Sequence, residues 1–230
     1  MNGDGTLVGD VIGYGPDIGT EEDFRLLGDV KGKRVLELGC GNAQRSIALA
    51  RQGATAIGID FSEAMIEAAK RLCERQNTRV ELRHGDLADL AFLRTDSVDL
   101  VLSVYALSYV RDYERVFRQA NRVLKAGAPL VFSLRHPALD VLDDSRPEEA
   151  PALARSYFDT SPVTRRRGDE EVEVHHHTTS DLLMALFRSG YRVDAVLEPE
   201  WSPRGPSQDV HEGFRYLPRA LIVRARKEGH

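Results

Sequence analysis

The sequence is poor in cysteine and has no long apolar run, and both features limit the classes of protein to which it can belong. Its 230 residues include two cysteines, Cys40 and Cys73, which give no disulfide framework and are typical of a reducing cytoplasm. The first five residues lack a basic stretch followed by an apolar core, so we expect no secretory signal. Because no apolar run is long enough to span a bilayer, we also expect no membrane partner and a cytoplasmic location.

Clustered positive charge is scarce as well. The formal net charge is −5, which argues against a general nucleic-acid binder, because phosphate contacts need clustered Lys and Arg. The basic run Arg165-Arg166-Arg167 leads directly into the acidic residues 169–171. We interpret it as a solvated turn, and we expect no nucleic-acid partner.

Apolar strands alternate with amphipathic helices along most of the chain. Strands are predicted over residues 33–38, 54–60, 79–83, 98–104, 128–134, 191–197 and 219–226. Helices are predicted over residues 43–52 and after the caps Ser62, Asp112 and Ser180. This alternation predicts an α/β fold, a doubly wound and mostly parallel seven-stranded sheet, in one domain over residues 1–230.

Two segments fall outside this alternation. Residues 1–30 are expected to form an N-terminal helical cap, with a helix beginning at Thr20 and Asp23 three residues later. Residues 135–175 contain four prolines and many charges but little periodicity. We interpret this second segment as an insertion that covers the active-site crevice.

The most informative stretch is a strand that carries Glu37 and runs into the turn Gly39-Cys40-Gly41. Glycine has no Cβ, so backbone there can approach a ligand closely. Asp60 ends the next strand nineteen residues after Gly41, near the ~20-residue spacing that places a carboxylate on ribose hydroxyls. Ligands of such sheets bind outside the carboxyl ends of the strands. The residues predicted at those ends are Gly39, Asp60, Asp86 and Ser103.

Two residues indicate which adenosine-containing ligand the turn binds. The third glycine of the dinucleotide fingerprint is replaced by Gln44, so the turn is not built for the closest approach of a pyrophosphate. Glu37 lies at the ligand end of its strand, where an acid suits an ammonium group. A ligand with adenosine at one end and a cationic amino acid at the other fits both observations, and S-adenosylmethionine is such a ligand.

At these positions the chain resembles the class I S-adenosylmethionine-dependent methyltransferases of the small-molecule type. The similar motifs are Glu37-x-Gly39-x-Gly41, Asp60, Gly85-Asp86-Leu87, residues 99–103 and residues 122–127. The similarity covers roughly residues 30–135 and implies a Rossmann-like fold with S-adenosylmethionine as cofactor. The chain departs from the family at Ala43, where many members carry glycine, and at Ala126 and Ala128, which replace Pro and Gly.

The resemblance assigns roles at the methionine end of the cofactor. The backbone of the turn would meet the methionine part at Gly39, Cys40 and Gly41. Glu37 would orient the ammonium group, directly or through water, and the Ser103 carbonyl would lie near it. Tyr14 resembles an N-terminal tyrosine that folds over the cofactor in many small-molecule members.

At the nucleoside end, the resemblance implies that Asp60 takes both ribose hydroxyls and that Phe61 or Met65 packs on the adenine. Asp86 would accept from the exocyclic amine of the adenine, and the Leu87 amide would meet the ring.

Structural alternatives stay open for several of these residues. Asp60 and Asp86 could be helix caps, Glu37 a core acid and Tyr14 a turn residue. We interpret Cys40 as a small filler residue rather than a nucleophile, because no histidine lies near it in sequence.

Candidate acceptor-site residues lie just beyond the fourth and fifth strands: Tyr105, Tyr109, Arg135 and His136. His136 is the preferred general base because it is placed at the mouth of the crevice. Among the histidines of residues 175–177 we select His176, since related chains often carry a histidine shortly before this helix. Consecutive strand residues point to alternate faces, so these three cannot chelate one ion, and no metal is expected. The histidines could also be structural and the tyrosines packing residues.

We therefore expect S-adenosylmethionine-dependent methyl transfer, by in-line displacement, to N, O, S or C of a small organic acceptor. One alternative is a methyltransferase that acts on a macromolecule. However, residues 103–106 read Ser-Val-Tyr-Ala rather than the Asn/Asp-Pro-Pro-aromatic run of adenine-specific enzymes. A second alternative is a non-catalytic S-adenosylmethionine-binding protein; a short-chain dehydrogenase would need a Tyr-x-x-x-Lys pair after the fifth strand, which is absent. We expect a monomer or homodimer, with Trp201 and the seventh strand as a candidate interface.

Overall fold

The computed structural model describes residues 11–16, 18–143, 151–167, 170–200 and 212–229. The strands are β1 Arg34–Leu38, β2 Thr55–Asp60, β3 Glu81–His84, β4 Leu100–Val104, β5 Pro129–Arg135, β6 Val163–Arg167, β7 Glu170–Val174, β8 Tyr191–Leu197 and β9 Ala220–Lys227. The α-helices are α1 Glu21–Phe24, α2 Gln44–Arg51, α3 Glu63–Arg75, α4 Tyr113–Val123 and α5 Thr179–Arg188. Short 3-10 helices cover Leu107–Tyr109, Pro137–Val141 and Glu212–Arg215.

Seven strands form one sheet in the order β3-β2-β1-β4-β5-β9-β8. The pairs among β1 to β5 are parallel, whereas β9 is antiparallel to both of its neighbours, β5 and β8. The order reverses at β1, which has β2 on one side and β4 on the other. The predicted doubly wound, mostly parallel seven-stranded sheet is therefore confirmed.

The central strands are apolar on both faces because helices cover both sides of the sheet. All five residues of β4 are buried. Val101 belongs to the core layer that contains Phe117 of α4, whereas Leu100 and Leu102 belong to the layer that contains Leu49 of α2. A sheet covered in this way leaves the ends of its strands as the place for a polar site.

The helix starts follow the capping residues with one correction. Ser62 and Asp112 cap α3 and α4 as predicted, by accepting from the amides of Met65 and Arg115. The helix expected after Ser180 begins earlier, because Thr178 and Asp181 form a reciprocal capping box.

The N-terminal helix expected within residues 1–30 is only one turn long. Thr20 and Asp23 form the predicted capping box, but Arg25 adopts the left-handed conformation with φ of 51° and ends the helix. The Glu21 carboxylate then accepts from the amides of residues 26–28. These backbone amides therefore donate to a side chain instead of to the carbonyls of further helical turns.

The insertion contains a 3-10 helix and an antiparallel hairpin, β6–β7. Arg165–Arg167 form part of β6, and Arg165 lies opposite Val172 of β7, so the prediction of a solvated turn is wrong. Trp201, proposed as an interface residue, lies outside the described residues. Within the described ranges, every helix is too short or too polar to cross a lipid bilayer.

Candidate active site

A cleft of about 1270 Å³ lies at the carboxyl ends of the parallel strands. Eight of the predicted cofactor residues line it: Gly39, Cys40, Gly41, Asp60, Phe61, Met65, Asp86 and Leu87. Ligand pockets for one small molecule usually measure about 300–1,000 Å³. The cleft therefore has room for a nucleoside cofactor together with a second molecule.

The turn after β1 requires glycine. Gly39 has φ of 72°, and a Cβ at this position would overlap the Cβ of Ala106. Gly41 also lies in the left-handed region, with φ of 54°, and its amide donates a 2.8 Å hydrogen bond to Asp60 Oδ2. The turn thus presents bare backbone to the cleft and is tied to the end of β2.

The Asp60 carboxylate accepts hydrogen bonds from the protein backbone and also lines the cleft. Oδ2 accepts from the Gly41 amide, and Oδ1 accepts from the Ser62 amide at 3.0 Å. A carboxylate offers about four lone-pair positions, of which these two bonds use two. Ser62, not Asp60, is the cap of α3, and the two backbone hydrogen bonds of Asp60 are compatible with a contact to two ligand hydroxyls.

Glu37 is a fully buried acid beneath the turn. Ser46 Oγ donates to its Oε2, whereas Arg45 Nη1 lies 3.8 Å from its Oε1. Among the described residues Oε1 has no hydrogen-bond partner. Burial raises the pKa of Glu37 to about 6, although Arg45 and Ser46 oppose the rise. Glu37 is outside the described cleft lining, so the contact of this oxygen with an ammonium group, directly or through water, stays a prediction.

Comparisons with known proteins agree with this arrangement. The family model for the methyltransferase domain matches residues 35–127. The solved structure of an S-adenosylmethionine dependent methyltransferase from Mesorhizobium loti is 30% identical, covers 89% of this chain and 95% of its own, and has a TM-score of 0.72. The chain belongs to the S-adenosylmethionine-dependent methyltransferases.

Further relatives of the methyltransferase show a similar fold or share part of its sequence. A solved structure from Listeria monocytogenes is 28% identical over 91% of this chain and 97% of its own, with a TM-score of 0.74. A ubiquinone biosynthesis O-methyltransferase from Coxiella burnetii is 34% identical over 104 residues, which cover 45% of this chain and 44% of that protein. The chain thus spans less than half the length of that curated relative.

The nucleoside half of the methyltransferase cleft carries an exposed aromatic ring and a second acid. Phe61 is 52% exposed, and its ring centroid lies 6.5 Å from that of Tyr109. Asp86 Oδ1 accepts from the Ala88 amide at 2.8 Å, whereas Oδ2 lies 4.0 Å from Arg115 Nη2. Asp86 Oδ1 thus closes a turn, and since no helix lies in the described residues between β3 and β4, the alternative that Asp86 is a helix cap is wrong; its second oxygen faces a cation. The donor set and the open glycine turn fit S-adenosylmethionine.

At Cys40 it is the backbone, not the sulfur, that is available to a ligand in the cleft. Its side chain is buried, and a Cβ on Gly58 of β2 would lie 2.8 Å from its Sγ. Burial raises the pKa of the Cys40 thiol, and the nearby carboxylates of Glu37 and Asp60 add to the rise. The thiol therefore stays protonated at neutral pH, in agreement with its interpretation as filler.

Tyr14 does not fold over the cleft as the resemblance implied. Its ring is fully buried and packs on Phe24, with centroids 5.8 Å apart, and its hydroxyl donates to Glu21 Oε2 at 2.6 Å. This hydrogen bond fastens the ring to α1, so the backbone neighbours Gly15 and Pro16 line the cleft instead.

Ser103 has a structural side chain. It is fully buried, and its Oγ donates to the Leu38 carbonyl at 3.0 Å, which joins β4 to β1 at the ligand end. The contact of its own carbonyl with the cofactor ammonium stays a prediction.

His136 is not the base that the sequence analysis placed at the cleft. Its Nδ1 accepts from the Ala138 amide at 3.1 Å, so Nε2 carries the proton and donates to Glu198 Oε1 at 2.8 Å. The buried ring therefore caps the 3-10 helix Pro137–Val141, and it is outside the described cleft lining.

His176 is likewise a structural residue. Its Nε2 donates to the Tyr157 carbonyl at 2.8 Å, and its Nδ1 lies 3.1 Å from Asp140 Oδ2. The hydrogen bond to Asp140 raises the pKa of His176, whereas burial opposes the rise. Both ring nitrogens are occupied, so His176 fastens the insertion instead of removing a proton from an acceptor.

Tyr105 and Tyr109 do line the cleft. Tyr105 has φ of 59°, which is rare for a residue with a large side chain. Its amide donates to the Ser133 carbonyl at 2.8 Å, and its ring fills the space where a Cβ on Gly15 would lie. Strained backbone of this kind is often found at functional sites, and acceptor contacts by both tyrosines stay predictions.

Several lining residues were missed by the sequence analysis. They are His84 on β3, Val110, Arg111, Arg115 and Val116 around the start of α4, and Arg165, Val172 and Val174 on the hairpin. A signal for the hairpin was present, because the two residues Gly168-Asp169 separate Arg167 from the run Glu-Glu-Val-Glu-Val, whose last four residues alternate. The density of charge in this stretch concealed that pattern.

Proposed function

We propose that this methyltransferase acts on a small organic acceptor at a nitrogen, oxygen, sulfur or carbon atom. The observation that carries the proposal is the hairpin β6–β7, which brings Arg165, Val172 and Val174 to the cleft that also contains Asp60. Residues of the hairpin form part of the cleft wall, and a cleft walled in this way favours a small molecule over a folded macromolecule.

The volume and lining of the cleft support the same proposal. Its volume of about 1270 Å³ exceeds that of a usual single-ligand pocket. The part lined by the hairpin and the start of α4 contains four valines: Val110, Val116, Val172 and Val174. Apolar walls exclude water from a reacting pair and bury the apolar body of an acceptor.

When bound, S-adenosylmethionine would supply a sulfonium-activated methyl group: an electron pair of the acceptor would bond to the methyl carbon in line with the breaking C–S bond, and S-adenosylhomocysteine would leave with that electron pair. The chain's own residues hold the acceptor in place and exclude water. Proximity and orientation alone can supply ~7–11 kcal/mol. Both candidate histidines are engaged elsewhere, and His84, which lines the cleft, contacts the Phe61 carbonyl through Nε2 at 2.9 Å, so we assign no histidine base to the reaction. The proposal therefore favours acceptors that are already ionised or that need no deprotonation before attack.

The curated relatives give additional support. The Coxiella burnetii protein is named a ubiquinone biosynthesis O-methyltransferase, which indicates a small-molecule acceptor for that protein. The shared region covers 45% of this chain, so an oxygen acceptor for this chain is part of the proposal.

A transfer screen tests the proposal. The protein would be incubated with methyl-deuterated S-adenosylmethionine and separate panels of phenols, amines, thiols and carboxylates, and products would be analysed by mass spectrometry. A parallel reaction would contain bulk tRNA and denatured and native protein extracts. We expect a labelled methyl group on a small molecule. Transfer only to RNA or protein would contradict the proposal, as would binding of the cofactor without any transfer.

A further inference from the structure

We infer that Arg45 binds the carboxylate of the cofactor's amino-acid tail and makes this methyltransferase selective for cofactors that keep this carboxylate. The inference goes beyond the proposed function, because it concerns the cofactor end of the cleft and holds for any acceptor. It depends on where α2 places the guanidinium, on how the guanidinium is held, and on which of its donors have no partner within the described residues.

Arg45 lies beside the glycine turn, at the start of α2. It is the second residue of this helix, and it lines the cleft together with Gly39 and Gly41. The other basic residues of the described cleft lining belong to different elements: His84 to β3, Arg111 and Arg115 to the start of α4, and Arg165 to the hairpin. Within the described residues, Arg45 is therefore the cation placed next to the backbone that is predicted to meet the methionine part.

A hydrogen bond to the N-terminal segment fixes the guanidinium. Arg45 Nε donates to the Gly13 carbonyl at 3.0 Å, and Gly13 itself forms an isolated β-bridge with Thr20. The position of the guanidinium is therefore set by paired backbone. A guanidinium carries five N–H donors in a planar fork, and the bond through Nε uses one of them.

The outer donors of this fork make no hydrogen bond within the part of the chain that the structure describes. Arg45 Nη1 lies 3.8 Å from Glu37 Oε1, which is beyond the roughly 2.7–3.2 Å of an N–H···O hydrogen bond. In agreement with this distance, Glu37 Oε1 has no hydrogen-bond partner among the described residues. The donors on Nη1 and Nη2 are therefore the ones that a ligand in the cleft could use.

Glu37 compensates the charge of Arg45 only in part. The Arg45 side chain is 23% exposed, and burial lowers its pKa although Glu37 opposes this shift. The first turn of α2 contains no acidic residue, and its N-cap Ala43 makes no side-chain hydrogen bond. Because the start of a helix favours an anion and disfavours a cation, a ligand carboxylate here would stabilise both Arg45 and α2.

The chemistry of the amino-acid tail matches this arrangement. An α-amino acid carries its ammonium and its carboxylate on one carbon atom, so a site for it needs an acidic and a basic side chain close together. Glu37 and Arg45 are such a pair. The contact of Glu37 with the ammonium stays a prediction, and the inference about Arg45 is tested separately from it. The planar fork of arginine binds both oxygens of a carboxylate through paired hydrogen bonds, which a lysine ammonium does not reproduce.

A purely structural role is the alternative for Arg45. In that case the guanidinium would only hold the Gly13 carbonyl and offset the charge of Glu37. Its removal would then weaken the binding of every ligand that carries the ammonium group, with or without a carboxylate. The two roles therefore differ in whether the loss of affinity depends on the carboxylate of the ligand.

Calorimetry with two ligands that differ only in this carboxylate tests the inference without turnover. They are S-adenosylhomocysteine and its decarboxylated analogue, which keeps the ammonium group. We expect the wild type to bind S-adenosylhomocysteine at least about tenfold more tightly, the order expected for charge-assisted hydrogen bonds. Arg45→Gln should remove most of this preference, and Arg45→Lys should keep part of it. The matched control is Arg51→Gln, which changes an exposed arginine in the last turn of α2, outside the described cleft lining, and should leave the preference unchanged.

Each outcome supports or overturns the inference. Equal affinity of the wild type for the two ligands would overturn it, as would a loss of affinity in Arg45→Gln that is the same for both. Wild-type affinity of Arg45→Gln for 5′-methylthioadenosine, which has no amino-acid tail, shows that the variant is folded. If Arg45→Gln does not fold, Arg45→Lys decides: a lower preference than that of the wild type supports the inference, and an equal one overturns it. The transfer screen concerns the acceptor alone, so the proposed function and this inference succeed or fail separately.

Discussion

The Gly41 amide donates a 2.8 Å hydrogen bond to Asp60 Oδ2, which joins the turn after β1 to the end of β2. This contact joins the carboxylate that is predicted to bind the ribose to the backbone that is predicted to meet the methionine part. A site that is preorganised in this way loses less free energy to ordering.

Cofactor affinity should depend on pH through Glu37. Burial raises its pKa to about 6, so the carboxylate is ionised above this pH and protonated below it. Because only the ionised form attracts an ammonium group, affinity for S-adenosylhomocysteine should fall by roughly tenfold between pH 7.5 and pH 5, as expected for titration through such a pKa. Calorimetry across this range measures the change.

Two controls isolate the role of Glu37. Glu37→Gln should bind more weakly at pH 7.5 and should lose the pH dependence. The ligand 5′-methylthioadenosine, which lacks the amino-acid tail, should bind wild type and variant equally at every pH. A pH dependence that persists in Glu37→Gln would show that another group is responsible.

Tyr14→Phe should reduce stability and leave cofactor affinity unchanged. The hydroxyl donates to Glu21 Oε2 in a buried cluster, and loss of such a hydrogen bond costs about 1 kcal/mol. Urea denaturation measures the first effect and calorimetry with S-adenosylhomocysteine the second. A loss of affinity without a loss of stability would indicate that Tyr14 contacts the cofactor directly, which the structure does not show.

Ala43 has a strained backbone conformation that glycine would adopt without this strain. It is the N-cap of α2 with φ of 64°, and its side chain is buried. The left-handed conformation costs an L-residue roughly 1–2 kcal/mol. Ala48 is also buried but lies inside α2, where glycine costs about 1 kcal/mol relative to alanine.

We therefore compare Ala43→Gly with Ala48→Gly, since each removes one buried methyl group. Ala43→Gly should be the more stable variant by about 2–3 kcal/mol, because the relief of strain at residue 43 and the helix cost at residue 48 add; urea denaturation measures the difference. Equal destabilisation of the two variants would argue against strain at Ala43.

His176 should stabilise the fold more at low pH than at high pH. Its pKa is raised in the folded state, first by the hydrogen bond to Asp140. The protonated form is thus favoured by folding, so this contribution is complete below the unfolded value of about 6.5. It is lost as pH rises through the folded pKa.

The difference in free energy of unfolding between wild type and His176→Gln should accordingly shrink from pH 6 to pH 8.5. The comparison cancels the titration of the other histidines. A difference that stays constant over this range would show that the pKa of His176 is the same in the folded and the unfolded protein.

The fold and the cofactor end of the site were predictable because their signals are local. Continuous apolar strands, helix caps and the spacing from Gly41 to Asp60 lie within short stretches of sequence. These features specify a parallel sheet whose strand ends carry the ligand residues.

The acceptor end was less predictable because its geometry depends on distant partners. His136 is engaged by Glu198, sixty-two residues away, and His176 by Asp140, thirty-six residues away. Arg165 reaches the cleft through a hairpin whose charged residues resemble a solvated turn. Residue type and spacing cannot show which partner a histidine or arginine finds in the folded chain.

The most direct test of the account is the affinity of Asp60→Ala for S-adenosylmethionine, measured by calorimetry beside wild type. The matched control is Asp89→Ala, because Asp89 is an exposed acid whose Oδ1 accepts from the Ala91 amide in a nearby turn. We predict that Asp60→Ala binds more than tenfold more weakly, a loss of at least about 1.4 kcal/mol, while Asp89→Ala binds as wild type does. Wild-type affinity in a folded Asp60→Ala protein would contradict the account.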